Sequence, residues 1–210
     1  SLHDALPIYW FGEHKGEGTA GNLAHVGVQC YSSADLYNWT DEGIAMKVSE
    51  DTKSEIADGC ILERPKVIHN AKTGKFVMYF HLEPKGRGYG MARTGIAVAD
   101  NIVGPYAFLR SLRPNARQWP LNVRPEQQTP DSIAAVGRCG HHFTGGPDEA
   151  AKNYNLLGAD FEQGQMSRDM TLFVDDDGKA YQLYASEQNS TLHIAELTDD
   201  YLGYSGKYVR

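Results

Sequence analysis

The chain has 210 residues, 41% of them apolar, and a formal net charge of -7. A chain of this size buries a core of its own, and no window approaches the roughly 18 consecutive apolar residues of a membrane-spanning helix. The acidic balance argues against a binder of phosphate backbones, which needs clustered Lys and Arg, so no nucleic-acid partner is expected and a neutral substrate is the better default.

From the N-terminus, Ser1 to Ile8 opens without a Met and matches no later pattern, then gives way to the aromatic segment Tyr9-Trp10-Phe11-Gly12. A run of small and β-branched residues follows at Val26 to Ser32, and then a turn ending in aromatics, Asp35-Leu36-Tyr37-Asn38-Trp39. The same succession returns at Lys75–His81, Thr94–Ala99 and Gly104-Pro105-Tyr106. It returns again at Lys179–Ser186, Thr191–Leu197 and Asp199-Asp200-Tyr201-Leu202. Alternation of apolar and polar residues with a period of two, bounded by Gly, Asn and Asp, predicts strands.

Two of the three units also carry an earlier strand. Pro65–His69 leads through Thr73-Gly74 into Lys75, and Met170–Val174 leads through Asp177-Gly178 into Lys179. Both joints are predicted to be hairpins, because glycine takes the positive φ that a tight turn requires. The acidic run Asp175-Asp176-Asp177 lacks the remaining ligands of a calcium loop and is read as part of that turn. Three repeats of about four antiparallel strands predict an all-β fold of propeller blades, since a β-sandwich does not require the same pattern to recur. Propellers close with about four to eight blades, so three units predict an incomplete ring with further blades after Arg210. The stretch from Arg110 to Arg168, rich in Pro, Gly, Gln and Asn and without periodicity, is expected to be an inserted loop.

Few residues suggest redox or metal chemistry. Cys30, Cys60 and Cys139 have no zinc-type spacing and read as small buried thiols, and His14, His25, His69, His81 and His193 are scattered without a metal motif. No metal and no cofactor is expected. The nucleophile-elbow motif is absent, and Gly86–Gly90 joins two strands without the helix that a phosphate cradle needs.

Carboxylates are the stronger candidates. Glu13, Glu63, Asp169 and Glu187 sit at strand ends in polar or Gly-rich surroundings, and Glu63 and Asp169 hold equivalent places in successive units. Propeller strands that start near the axis bring such residues together, and converging carboxylates suit glycoside hydrolysis. The competing reading is a salt bridge to the neighbouring Arg64 or Arg168. Tyr9, Trp10, Tyr89 and Trp119 flank loops, where a flat ring would pack on the apolar face of a sugar; for Tyr9 and Trp10 core packing is the stronger expectation.

Three motifs, Tyr9-Trp10-Phe11-Gly12-Glu13-His14-Lys15, Leu62-Glu63-Arg64-Pro65-Lys66-Val67, and Ser167-Arg168-Asp169 with Phe173–Tyr181, resemble glycoside hydrolase family 43, in its exo-β-1,3-galactanase branch. The resemblance implies a five-bladed β-propeller, of which residues 1–210 supply about three blades, and an inverting, exo-acting hydrolase of galactan-type oligo- or polysaccharides, secreted or periplasmic. It places Asp169 on the family's pKa-modulating aspartate and Glu63 on a pocket glutamate considered for a catalytic role. Glu13 and Tyr89 match sugar-contacting positions. The family's general acid is a Glu followed by Ala-Pro or Gly-Pro, a motif this sequence lacks. The acid is therefore expected beyond Arg210, and the chain on its own is expected to be inactive. Arabinan or xylan as substrate, and a propeller that binds carbohydrate without cleaving it, are the alternatives.

Overall fold

A computed structural model describes residues 7–125, 128 and 156–210, so Cys139, His141, His142 and Phe143 lie outside the described residues. The chain divides into two compact units, residues 1–91 with 95–110, and residues 92–94 with 111–210. Strands β1 (Ile8–Lys15), β2 (His25–Ser33) and β3 (Thr40–Lys47) form a three-stranded sheet. Strands β4 (Ile61–Asn70), β5 (Lys75–Glu83), β6 (Arg93–Ala99) and β7 (Ala107–Leu112) form a four-stranded sheet, and β8 (Met170–Val174), β9 (Ala180–Ser186), β10 (Thr191–Leu197) and β11 (Tyr204–Val209) form another. Within each sheet, every strand lies beside its successor in the chain. The fold is all-β. No helix among the described residues is long and apolar enough to cross a membrane.

Both predicted hairpins form. Between β4 and β5 the turn closes through the Gly74 N–H on the Asn70 carbonyl at 2.8 Å, with Gly74 at φ 70°. The Asn70 side chain accepts the Lys72 and Thr73 N–H groups at 2.9 and 3.0 Å, which locks the turn. Between β8 and β9, Gly178 at φ 79° donates to the Asp175 carbonyl, and Asp177 accepts the Lys179 N–H. The acidic run is a turn, as the sequence suggests, and Val67 and Leu172 belong to different sheets.

Two boundaries differ from expectation. Ile8 is not part of an unmatched start, because it opens β1 opposite Ser33. Arg110 to Leu112 complete β7 and are not loop. Beyond them, the described part of the expected insertion lacks strands, and a single helical turn, α1 (Leu156–Ala159), lies within it. Specific contacts hold that part in place: Arg113 pairs with Asp160 at 3.1 Å, the Gln165 N–H bonds the Pro114 carbonyl, and the rings of Trp119 and Phe161 lie 4.4 Å apart.

The core of the first unit gathers Val28, Cys30, Ala45, Met46, Cys60, Met78, Phe80, Leu82 and Ala97. Cys30 and Cys60 are free thiols buried in it, and burial raises both to about 11. Tyr9 packs against this core, as expected. Trp10 does not: strand alternation turns it to the other face of β1, where it is 58% exposed and meets Tyr31 and Trp39. In the second unit, Gln182 is fully buried and donates to Ser167 and Thr94, while Tyr204 donates back to it. A buried amide must have such partners, since an unpaired one costs about 1–3 kcal/mol.

Strand β5 is buried on both faces. Met78, Phe80 and Leu82 enter the core, while Val77, Tyr79, His81 and Glu83 on the opposite face are equally enclosed. The Phe80 ring has room because residue 95 is glycine, where a Cβ would sit 2.3 Å from the ring. Gly95→Ala is therefore expected to destabilise the chain by about 1–3 kcal/mol through overpacking. Urea unfolding measures this, and an unchanged midpoint would contradict it.

Candidate functional site

The local shape of β4 decides where Glu63 points. From Asn70↔Lys75 back to Lys66↔Tyr79 the β4–β5 register is regular, but Arg64 and Pro65 together oppose the single residue Phe80, so that Glu63 pairs with His81. This is a β-bulge, which inserts one residue and re-aims the side chains beyond it. An uninterrupted register would set Glu63 opposite Leu82, on the core face. The bulge places Arg64 at φ 56°, a conformation that costs a non-glycine residue roughly 1–2 kcal/mol, and Pro65 has no N–H to lose from the ladder.

Glu63 then lies among donors. Its Oε1 accepts the Tyr89 hydroxyl at 2.6 Å and the Asn22 amide at 3.3 Å, and its Oε2 faces His81 Nδ1 at 3.2 Å. The Asn22 amide also donates to the Tyr89 oxygen. On its far side, His81 Nε2 meets Glu83 Oε1 at 3.0 Å, and Glu83 Oε2 accepts the Met91 N–H at 2.7 Å. The bond to His81 holds the Glu63 carboxyl below its ordinary value, against partial burial and with help from Tyr89. Burial works against a charged His81, but the two carboxylates outweigh it and raise the ring. Tyr89 is pushed up to about 12, by burial first and then by donating to Glu63.

Glu13 joins this cluster through Arg64 and Lys15. Its Oε1 accepts the Arg64 backbone N–H at 3.2 Å and lies 3.4 Å from the guanidinium, and its Oε2 lies 3.3 Å from Lys15. Lys15 also donates to Asn22 at 2.8 Å. The His25 ring, 3.8 Å away, lowers the Glu13 carboxyl most; partial burial opposes it, the Arg64 N–H and Lys15 add to it, and the balance is about 2. His25 is itself fixed, with Nδ1 donating to the Asn22 carbonyl at 2.6 Å. A salt bridge to Arg64, weighed from sequence, is thus made by Glu13.

The second unit holds Asp169 and Glu187. Asp169 is exposed immediately before β8, and its backbone is pinned because its carbonyl accepts the Ala185 N–H at 2.8 Å. The neighbouring Arg168 side chain donates to Gln188. Glu187 lies in the β9–β10 turn, where it, Gln188 and Asn189 all have positive φ. It is buried and bonded to His193 at 3.0 Å and to Arg210 at 2.6 Å; these partners overcome its burial and pull it down to about 2. That geometry makes Glu187 a structural ion pair. Asp160 is the carboxyl raised by burial among the described residues, and both its oxygens are held by Arg113.

The arrangement in the first unit is one of ionised acceptors. Glu63, Glu13 and Tyr89, named from sequence, come together there, and Asn22, His25, His81 and Glu83 complete the cluster. Carboxylates held low bind and orient hydroxyl groups, whereas a general acid needs a raised pKa. The residues offer neutral and cationic donors around each carboxylate, and no group of three His, Cys, Asp or Glu suited to a metal occurs among the described residues.

Because the folded-state pKa of Glu13 is depressed, its contribution to stability is complete above the unfolded value near 4.5 and is lost as pH falls towards about 2. Stability of the native chain is therefore expected to drop across that window more steeply than that of Glu13→Gln. Urea unfolding at stepped pH measures both, and parallel curves would contradict the assignment.

No family model matches the chain, and a search of curated proteins finds no match. Solved structures do match. A GH43 β-1,3-galactosidase solved with galactodeoxynojirimycin has 51% identity and a TM-score of 0.81, over 97% of this chain and 58% of its own. An exo-β-1,3-galactanase from Clostridium thermocellum has 32% identity and a TM-score of 0.63, over 95% of this chain and 33% of its own. An α-L-arabinofuranosidase from the same organism, at 20% identity and a TM-score of 0.54 over 97% of this chain and 51% of its own, shares the fold alone. The chain thus spans a third to somewhat over half the length of these structures. With 51% identity to the first of these structures along 97% of its own length, the chain belongs to glycoside hydrolase family 43.

Proposed function

We propose that this chain forms part of an inverting, exo-acting β-1,3-galactosidase that removes galactose from the ends of galactan-type chains. The observation that carries the reading is the acceptor cluster of Glu63, Glu13 and Tyr89 in a chain 51% identical to a β-1,3-galactosidase. Galactose presents a dense set of hydroxyls, and ionised carboxylates with a phenol and an amide beside them satisfy such hydroxyls directionally. In this reading Glu63 and Glu13 accept from hydroxyls of the terminal sugar, Tyr89 and Asn22 fix its orientation, and Asp169 tunes the general acid.

Inversion requires an acid to protonate the leaving oxygen while water attacks the opposite face of the sugar. The Glu13 and Glu63 carboxyls are held low, so they do not suit the acid's role, and Asp160 is enclosed with Arg113. In this reading the acid lies in chain outside residues 1–210, since the Glu-Ala-Pro or Glu-Gly-Pro motif expected of it is absent from the sequence, and the remaining blades of a five-bladed propeller lie there too. Residues 1–210 then make up the N-terminal part of one propeller domain in a secreted or periplasmic enzyme.

The test compares galactose release from β-1,3-galactan by the complete protein, by residues 1–210 alone, and by Glu63→Gln and Asp169→Asn in the complete protein. Release is expected from the complete protein, with a loss of about 10²–10⁴-fold in kcat for Asp169→Asn, whose acid is left mistuned. Glu63→Gln is expected to impair turnover with folding preserved. Residues 1–210 alone are expected to be inactive, and activity equal to the complete protein would overturn the placement of the acid. Turnover of arabinan or xylan in place of galactan would overturn the substrate, and binding without turnover of any of the three would identify a lectin.

A further inference from the structure

The His81 ring meets a carboxylate oxygen at each nitrogen, Glu63 at 3.2 Å and Glu83 at 3.0 Å. A neutral imidazole has one N–H and one lone pair, so it satisfies only one of two such acceptors; the imidazolium satisfies both. Burial makes the distinction sharp. Glu83 is fully buried and His81 is 2% exposed, and a buried carboxylate without a counter-charge or donors is strongly disfavoured. Glu83 has a second task, because its other oxygen accepts the Met91 N–H, at the far end of the loop that carries Tyr89.

We propose that Glu83 and His81 are positioning residues, a buried clamp in which a permanent imidazolium holds Glu63 as an anion and Glu83 ties that imidazolium to the base of the Tyr89 loop. Neither residue touches the sugar. Together they set the charge of the Glu63 carboxylate and the place of the phenol that donates to it, so both groups facing the substrate depend on one enclosed glutamate. The role rests on the reading of Glu63 as a galactose-binding carboxylate.

The surroundings assign the charges. Glu63 faces the ring from β4, Glu83 from β5 itself, and the Tyr89 ring lies 6.0 Å away on the loop that follows. Glu13 repels Glu63 and thereby raises it, while Lys15 reaches the cluster only through Asn22 and Glu13. The imidazolium is thus the cation in direct contact with Glu63.

Glu83→Gln separates charge from shape. The amide oxygen still accepts the Met91 N–H and the amide nitrogen donates to His81 Nε2, which leaves a neutral ring with its proton on Nδ1, still donating to Glu63. The experiment labels histidine with nitrogen-15 in the complete protein and assigns His81 by loss of its signal in His81→Gln. Both ring nitrogens of His81 are expected to be protonated at neutral pH in the native protein, and only one in Glu83→Gln. On a β-1,3-galactobioside, Glu83→Gln is expected to lose about 10–100-fold in kcat/KM, the usual effect of removing a group that orients a site residue. The acidic limb of its pH profile is expected to move upward, because Glu63 has lost its cation.

A singly protonated His81 in the native protein overturns the clamp, and this arm does not depend on whether the variant folds. So does a Glu83→Gln enzyme with an unchanged acidic limb. A doubly protonated His81 in a protein that turns over no galactoside would support the clamp's charge and overturn the substrate reading instead.

Discussion

Carboxylates withdrawn from water need a cation or several N–H and O–H donors within reach, and this requirement organises the polar end of the first unit. Glu63, Glu13 and Glu83 lie close along the chain's fold, and like charges at such spacing repel. What holds them is interleaving. His81 stands between Glu63 and Glu83, Lys15 and the Arg64 backbone stand against Glu13, and Asn22 connects the two groups. The bulge at Arg64-Pro65 makes the interleaving possible, because one extra residue moves Glu63 from the core face of its strand to the face that carries His81 and Glu83. A strained backbone at Arg64 is the cost, and its N–H bond to Glu13 offsets part of it.

That arrangement explains what chemistry this part of the chain does and does not offer. Ionised carboxylates with fixed donors suit the hydroxyl pattern of a sugar without large motion, since His25 is tied to the Asn22 carbonyl, His81 to Glu63 and Glu83, and the Asn22 amide to Glu63 and Tyr89. Protonating a leaving oxygen is a different task, needing a carboxyl kept neutral by burial or by a like charge without a cation beside it. Glu13 and Glu63 are held in the opposite state.

Much of the fold was legible in the sequence. Thr73-Gly74 and Asp177-Gly178 mark hairpins because turn geometry is local, and the recurring aromatic and small-residue strands mark the sheets because side-chain alternation is local too. Glu13, Glu63 and Tyr89 were legible through family motifs. His81, Glu83, His25 and Asn22 were not, since their importance comes from register: a one-residue bulge decides whether Glu63 faces His81 or Leu82, and Glu-Arg-Pro alone does not announce it. A Pro inside a strand is the signal that points there, because proline in a ladder tends to mark a bulge or an edge. Trp10 departs from its expected core packing for a related reason, as its apolar character says nothing about which face of β1 it occupies. Arg110–Leu112 look like loop in the sequence because a short edge strand carrying Arg and Ser has little hydrophobic pattern to show.

The central claim is that Glu63 and Tyr89 face a galactose. A crystal of the complete protein soaked with galactose tests it most directly. The account predicts a sugar hydroxyl within hydrogen-bonding distance of Glu63 Oε1, with the Tyr89 hydroxyl and the Asn22 amide beside it. A galactose bound elsewhere, with the Glu63–Tyr89–Asn22 contacts intact and no sugar against them, would contradict it.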